Sequence, residues 1–205
     1  EGQEVIAASA PEKVACSEPA GTAPCGQVHG LRATLYYTAL ERDYVQGSSA
    51  EFRDVSGNIL RRGSDEFFRA ASIEGSARFE DGQVLNYHHK IGNEVRWTII
   101  DAELGLDARG CELVPFRSAA VDPAAVALGT VMLLAETRGM LLPDGSAHDG
   151  IWIAADTGDS ILGDRIDLYT GAGMSSMVVP RRHGIRHLQE LTSRTTGTTT
   201  ECNPP

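Results

Sequence analysis

The spacing of its turns limits most sharply what this chain can fold into. Asp81-Gly82, Asp144-Gly145, Asp149-Gly150, Pro123 and many of the 22 glycines interrupt the sequence. Between them lie short β-branched and apolar runs such as VRWTII (95–100) and TVMLLAE (130–136). Runs of that length suit strands, and Asp-Gly pairs suit hairpin turns. Long amphipathic helices have little room. Many short strands with few helical patterns indicate a β-barrel or sandwich, and no repeat of 20 to 50 residues points to a solenoid or propeller.

Element by element, LRATLYYTAL (31–40) reads as a strand. Within 41–70, EFFRAA (66–71) predicts one helical turn, and 72–92 reads as short strands around Asp81-Gly82. CELVPFRSAAVDP (111–123) is a strand ended by its proline, AAVALG (124–129) a turn or brief helix, and 140–158 a hairpin-like pair. DRIDLYTG (164–171) is again a strand. GIRHLQELT (184–192) is ambiguous: the spacing of Ile185, Leu188 and Leu191 suits a helix, and a strand is the alternative. Residues 1–30 form an extended arm without apolar periodicity, and 193–205 a polar, low-complexity tail.

The net charge of −10 makes nucleic acid and anionic membrane poor partners on bulk electrostatics, and neither is expected. No run approaches the roughly 18 apolar residues of a membrane span. Sixteen of the 18 basic residues are Arg, whose planar forks suit polar ligands. Cys16, Cys25, Cys111 and Cys202 form no CxxC and have no zinc spacing. Their even count favours two disulfides and an oxidising compartment, with Cys16–Cys25 and Cys111–Cys202 the preferred pairs. The chain opens on EGQEV without an initiator Met, as a mature secreted or trimmed chain would.

Three aspartates stand in distinctive settings: Asp122 before Pro123, Asp156 at the head of an Asp-Thr-Gly turn, and Asp167 within RIDLY. Alternation puts Asp167 on the face opposite Ile166 and Leu168. If those two point into the core, Asp167 faces solvent or a groove; if they pack outside a small barrel, it faces a cleft or the interior. Taken singly, each Asp is more often a turn former or a solvated carboxylate.

Together they form a pattern. AVDPAAVALGTVML followed by AADTGDSILGDRIDLYTGAG resembles the 3D domain, named for three aspartates and found in membrane-bound lytic transglycosylase A and in small secreted cell-wall hydrolases. The matching residues are Asp122-Pro123, Leu128-Gly129-Thr130, Asp156-Thr157-Gly158, Ile161, Gly163, Arg165 to Tyr169, and Gly171. Asp159, Ser160 and Leu162 depart from the family pattern. The resemblance implies a six-stranded double-psi β-barrel at 31–192, interrupted by a β-rich insertion at about 41–94. It implies lytic cleavage of the bond from N-acetylmuramic acid to N-acetylglucosamine in peptidoglycan strands, leaving a 1,6-anhydro ring. Asp167 takes the place of the catalytic acid, with Asp156 and Asp122 in supporting positions, and Tyr37, Thr38, Thr157, Gly158, Gly163 and Arg165 as sugar-binding candidates. No metal or organic cofactor is required, and the protein is expected to act as a monomer outside the cytoplasm.

That chemistry explains a single lead carboxyl. The substrate's C6 hydroxyl is the nucleophile, so one protonated Asp gives its proton to the leaving oxygen and then accepts one from C6. Its pKa must be raised, by burial or by like charges from Asp156, Asp122, Asp159 or Asp164, with Arg165 opposing. An aspartic protease would need two such turns and finds one. A serine nucleophile lacks GxSxG, and Gly171-Ala172-Gly173 lacks the setting of a dinucleotide site. Adjacent strand residues His88 and His89 face opposite ways and make a poor metal pair, and His148-Asp149 reads as turn chemistry. The rival reading is an expansin-like protein that binds wall glycan without cleaving it. Tyr36, Tyr37, Trp97, Trp152 and Tyr169 are its candidate stacking residues, although core packing is the commoner fate of an aromatic.

Overall fold

A computed structural model describes residue 26 and residues 28–202 of the chain. The Cys16–Cys25 pairing and nearly all of the expected arm lie outside the described residues. Eleven strands form two sheets that share one long strand, β1 (Val28–Leu40).

The first sheet closes on itself. Around it run β1, β10 (Arg165–Ala172), β7 (Ser118–Val121), β9 (Ile151–Asp156), β8 (Thr130–Leu134) and β11 (Gln189–Thr198), which returns to β1. The β1–β10 and β7–β9 pairs are parallel and the other four antiparallel. This is the expected closed six-stranded barrel, and closure leaves no free sheet edge. Leu31, Ala33, Met132, Leu134, Trp152, Ile166, Leu168 and Leu191 fill it. Gly129 adopts a left-handed φ of 86° where its backbone lies against Thr199, a place without room for a β-carbon.

Three expectations need correction at this point. The tail is not a tail: β11 runs to Thr198, because alternate small residues Ser193, Thr195 and Gly197 are buried while its threonines favour extended backbone. The same strand settles the ambiguous 184–192 segment, whose last four residues are extended. The arm ends earlier than 30, since Val28–Gly30 already pair with Thr192–Arg194. CELVPFRSAAVDP is mostly loop, with strand only at Ser118–Val121.

The second sheet is open. β2 (Ala50–Arg53) and β3 (Ile59–Gly63) form one hairpin; β4 (Ser76–Arg78), β5 (Val84–Ile91) and β6 (Glu94–Ile100) follow, and β4 joins the far end of β1 at Ala39–Leu40. Because β6 belongs to this sheet, the insertion extends beyond the expected 94. The single turn expected at 66–71 is the middle of a ten-residue helix, α1 (Asp65–Glu74). Ser64 caps it by accepting from the Phe67 N–H, Asp65 and Glu66 occupy its positive end, and Gly75 ends it at φ 83°. Phe67 and Ala71, four residues apart, bury one face against Phe52, Phe79 and Trp97. Residues 101–117 lead back to the barrel, and Cys111 is bonded to Cys202 just beyond β11.

Candidate functional site

Ile166 and Leu168 are fully buried in the barrel core, so Asp167 projects from the outer face of β10. Strand register places Thr34 of β1 beside it on one flank and Ala120 of β7 on the other. Ala120 in turn pairs with Asp156 of β9. The four form a row across the strands, with the two aspartates separated by two strand spacings, about 10 Å. The small Ala120 leaves room between them.

This row is the floor of a cleft of about 1040 Å³. One wall comes from the second sheet: Ser72, Glu74 and Gly75 at the end of α1, with Asn86, Tyr87 and Lys90 of β5. The lining also includes Arg181 of a short helix, α2 (Val178–His183), and the loop residues Arg186 and His187. Asp107 and Ala108 of the returning loop complete it beside Asp156.

Asp167 Oδ1 is buried and has no hydrogen-bond partner among the described residues. Burial raises its pKa to about 6, while the Thr34 hydroxyl and the charges of Arg165 and His187 hold the rise back. Asp156 also reaches about 6, chiefly through burial. Its oxygens are occupied, however: Oδ2 accepts from the Tyr36 hydroxyl at 3.1 Å and Oδ1 from the Thr157 N–H at 2.8 Å. Of the two expected causes, burial and like-charge repulsion, burial raises Asp167, and neither Asp156 nor Asp122 adds to it. Two strands of separation explain why Asp156 contributes so little to Asp167.

Asp122 is elsewhere. It does not line the cleft; it accepts from Ala124 N–H at 2.9 Å and Gly163 N–H at 2.8 Å, and both hold its pKa low. It ties the turn after β7 to the turn before β10. Of the sugar-binding candidates, Thr157, Gly158 and Arg165 reach the cleft. Tyr37 is buried in the second core with its hydroxyl on Tyr44, and Thr38 lies in a buried hydroxyl chain between Ser76 and Tyr169. Gly163 occupies the exposed turn that Asp122 holds. Asp159 pairs with Lys90 at 2.6 Å and Asp164 with Arg32, so neither charge is aimed at Asp167. All five suggested stacking aromatics are buried, and only Tyr36 touches the cleft. His148 is buried between the Phe116 carbonyl and the Gly150 N–H, as a turn residue.

The sequence reading missed Thr34, Glu74, Asp107, Arg181, Arg186 and His187. Thr34 and Arg186 lie inside segments already read as elements, and strand alternation from Ala33 would have turned Thr34 outward. Glu74 and Asp107 have no local signal; they reach the cleft through packing of distant segments.

Comparison with known proteins agrees with this architecture. Residues 117–179 match the family model described as the 3D domain. The chain is similar in structure to MltA of Escherichia coli, solved with bound chitohexaose, with a TM-score of 0.63 and 16% identity over 83% of this chain and 73% of that one. It is also similar to a membrane-bound lytic murein transglycosylase from Agrobacterium tumefaciens, with a TM-score of 0.50 and 15% identity over 91% and 66%. A search among curated proteins found no match. The chain thus carries a segment that matches the 3D domain, set within a closed barrel whose fold is similar to that of MltA.

Proposed function

We propose that this protein is a peptidoglycan lytic transglycosylase with Asp167 as its general acid and base. The observation that carries the proposal is the state of Asp167: buried at the floor of a cleft, raised to about 6, and with one oxygen free of any protein partner among the described residues. A carboxyl so placed is kept protonated for longer than a surface aspartate and has an oxygen that no protein donor engages among the described residues. It gives its proton to the glycosidic oxygen as the C1–O4 bond breaks. The carboxylate then accepts the C6 hydroxyl proton as the C6 oxygen closes onto C1. The acid is regenerated and no water enters.

A water-activating partner is the requirement of an inverting hydrolase. Asp156 is the other carboxylate in the row, but both of its oxygens are already hydrogen-bonded. Its part is to hold the Thr157–Gly158 turn at the cleft edge. The basic lining of Arg181, Arg186 and His187 suits the carboxylates of muramyl groups. The Cys111–Cys202 bridge fits an oxidising, extracytoplasmic location. Among the described residues no helix is long and apolar enough to cross a membrane.

Digestion of purified peptidoglycan, read by mass spectrometry, tests the reading. The wild type should release anhydro-muropeptides and Asp167→Asn should lose roughly 10³-fold in rate. Activity should fall as pH rises through about 6, because the donor form of Asp167 is lost there. Reducing-end products would replace this mechanism with hydrolysis. Binding to the polymer without products would make the protein an expansin-like binder.

A further inference from the structure

The wall facing Asp167 contains a second carboxyl that the mechanism above does not use. Glu74 is the last residue of α1 and lines the cleft. Its Oε2 accepts from the Tyr37 backbone N–H at 3.1 Å, where the β1–β10 register shifts between Tyr36 and Thr38. Among the described residues Oε1 has no protein partner, and Glu74 makes no ion pair. It is the only acidic side chain that the second sheet and its helix give to the cleft among the described residues.

We propose that Glu74 is a glycan-positioning residue: with Oε2 fixed by Tyr37, its Oε1 hydrogen-bonds an oxygen of the sugar seated over Asp167 and sets the strand's register in the cleft. This inference rests on the reading of the cleft as a glycan site. The chemistry selects what Oε1 meets. Burial and the nearby Asp167 charge raise Glu74 to about 8, and the carbonyl end of α1 acts in the same direction. The titratable groups facing it are Asp167 on β10 and the hydroxyls of Tyr37 and Tyr44, and among the described residues no cation offsets them. At neutral pH Glu74 therefore carries a proton and acts as a donor, which suits an acetamido carbonyl or a sugar hydroxyl accepting through its oxygen. A purely structural acceptor for the Tyr37 N–H would not need to be ionisable or to present a second oxygen to the cleft.

The test measures affinity for purified peptidoglycan glycan strands in the Asp167→Asn protein, which prevents turnover, with Glu74→Gln or Glu74→Ala added. Gln keeps both an acceptor for Tyr37 and a donor for the sugar, so E74Q should bind within about twofold, whereas E74A should lose roughly five- to tenfold. Raising the pH from 6.5 to 9 should weaken the parent by a similar factor and leave E74Q unchanged. Equal binding by E74A, or the same pH-dependent loss in E74Q, would overturn the role of Glu74 while leaving the glycan site in place. If E74A does not fold, the pH response of E74Q decides. No binding of strands by the parent would overturn both this inference and the proposed function.

Discussion

The barrel and the inserted sheet solve the same packing problem differently. The barrel closes its hydrogen-bond ladder and fills the interior mainly with aliphatic side chains and one Trp. The insert is open at β3 and is held by a cluster of rings, with Phe52 touching Phe67, Phe68, Phe79 and Trp97. Four of the chain's five phenylalanines lie there. A closed ladder distributes stability over every strand, whereas an open sheet depends on what is packed beneath it. The floor of the cleft therefore belongs to the more redundant half of the molecule, and its wall to the more fragile one.

The largest test of that contrast is Phe52→Ala. It empties the centre of the ring cluster and should cost about 4 kcal/mol. Hydrogen exchange should show β2, β3 and β6 losing protection while β10 keeps it; equal loss in both halves would dissolve the distinction. Next comes removal of the Cys111–Cys202 bridge, which closes a span of 91 residues containing the end of the return loop and five of the six barrel strands. Its loss should lower stability by about 3 kcal/mol, read as a lower denaturation midpoint under reduction.

Glu74→Gln acts in the opposite direction. A carboxyl raised to about 8 in the folded protein holds a proton that the unfolded chain releases above about 4.5. Folding stability is thus lost as pH rises between those values, and Gln removes the loss. E74Q should be more stable than wild type at pH 6.5 by roughly 2–3 kcal/mol and nearly equal to it at pH 4.5, measured by denaturant unfolding. Buried His148, whose pKa is lowered, weakens the protein below about 6.5 in both, so the difference between variants is the informative quantity. The smallest effect belongs to Lys90→Ala. The Lys90–Asp159 pair spans the two walls but is solvent-exposed, and its loss should change stability by less than about 1 kcal/mol.

These differences also mark what the sequence made legible. RIDLY was readable because alternation is local: two apolar neighbours sent into a core leave Asp167 on the other face. The barrel was readable for the same reason, through its turns and through motifs that resemble the 3D domain. Asp122 misled because a motif records that a carboxylate is required, and here the requirement is two backbone N–H groups in neighbouring turns. The strand β11 was hidden because its buried positions hold Ser, Thr and Gly, and a search for apolar alternation passes over them. Glu74 was out of reach, since its environment exists only once α1 docks against a strand 37 residues away.

The thirteen residues of β1 have a mechanical consequence. The strand belongs to the barrel at one end and to the inserted sheet at the other, so floor and wall share a beam and are not joined by a swivel. To gape, the molecule would have to bend a strand whose edges are bonded to its neighbours over most of its length. Whatever enters such a groove therefore meets jaws that are already set.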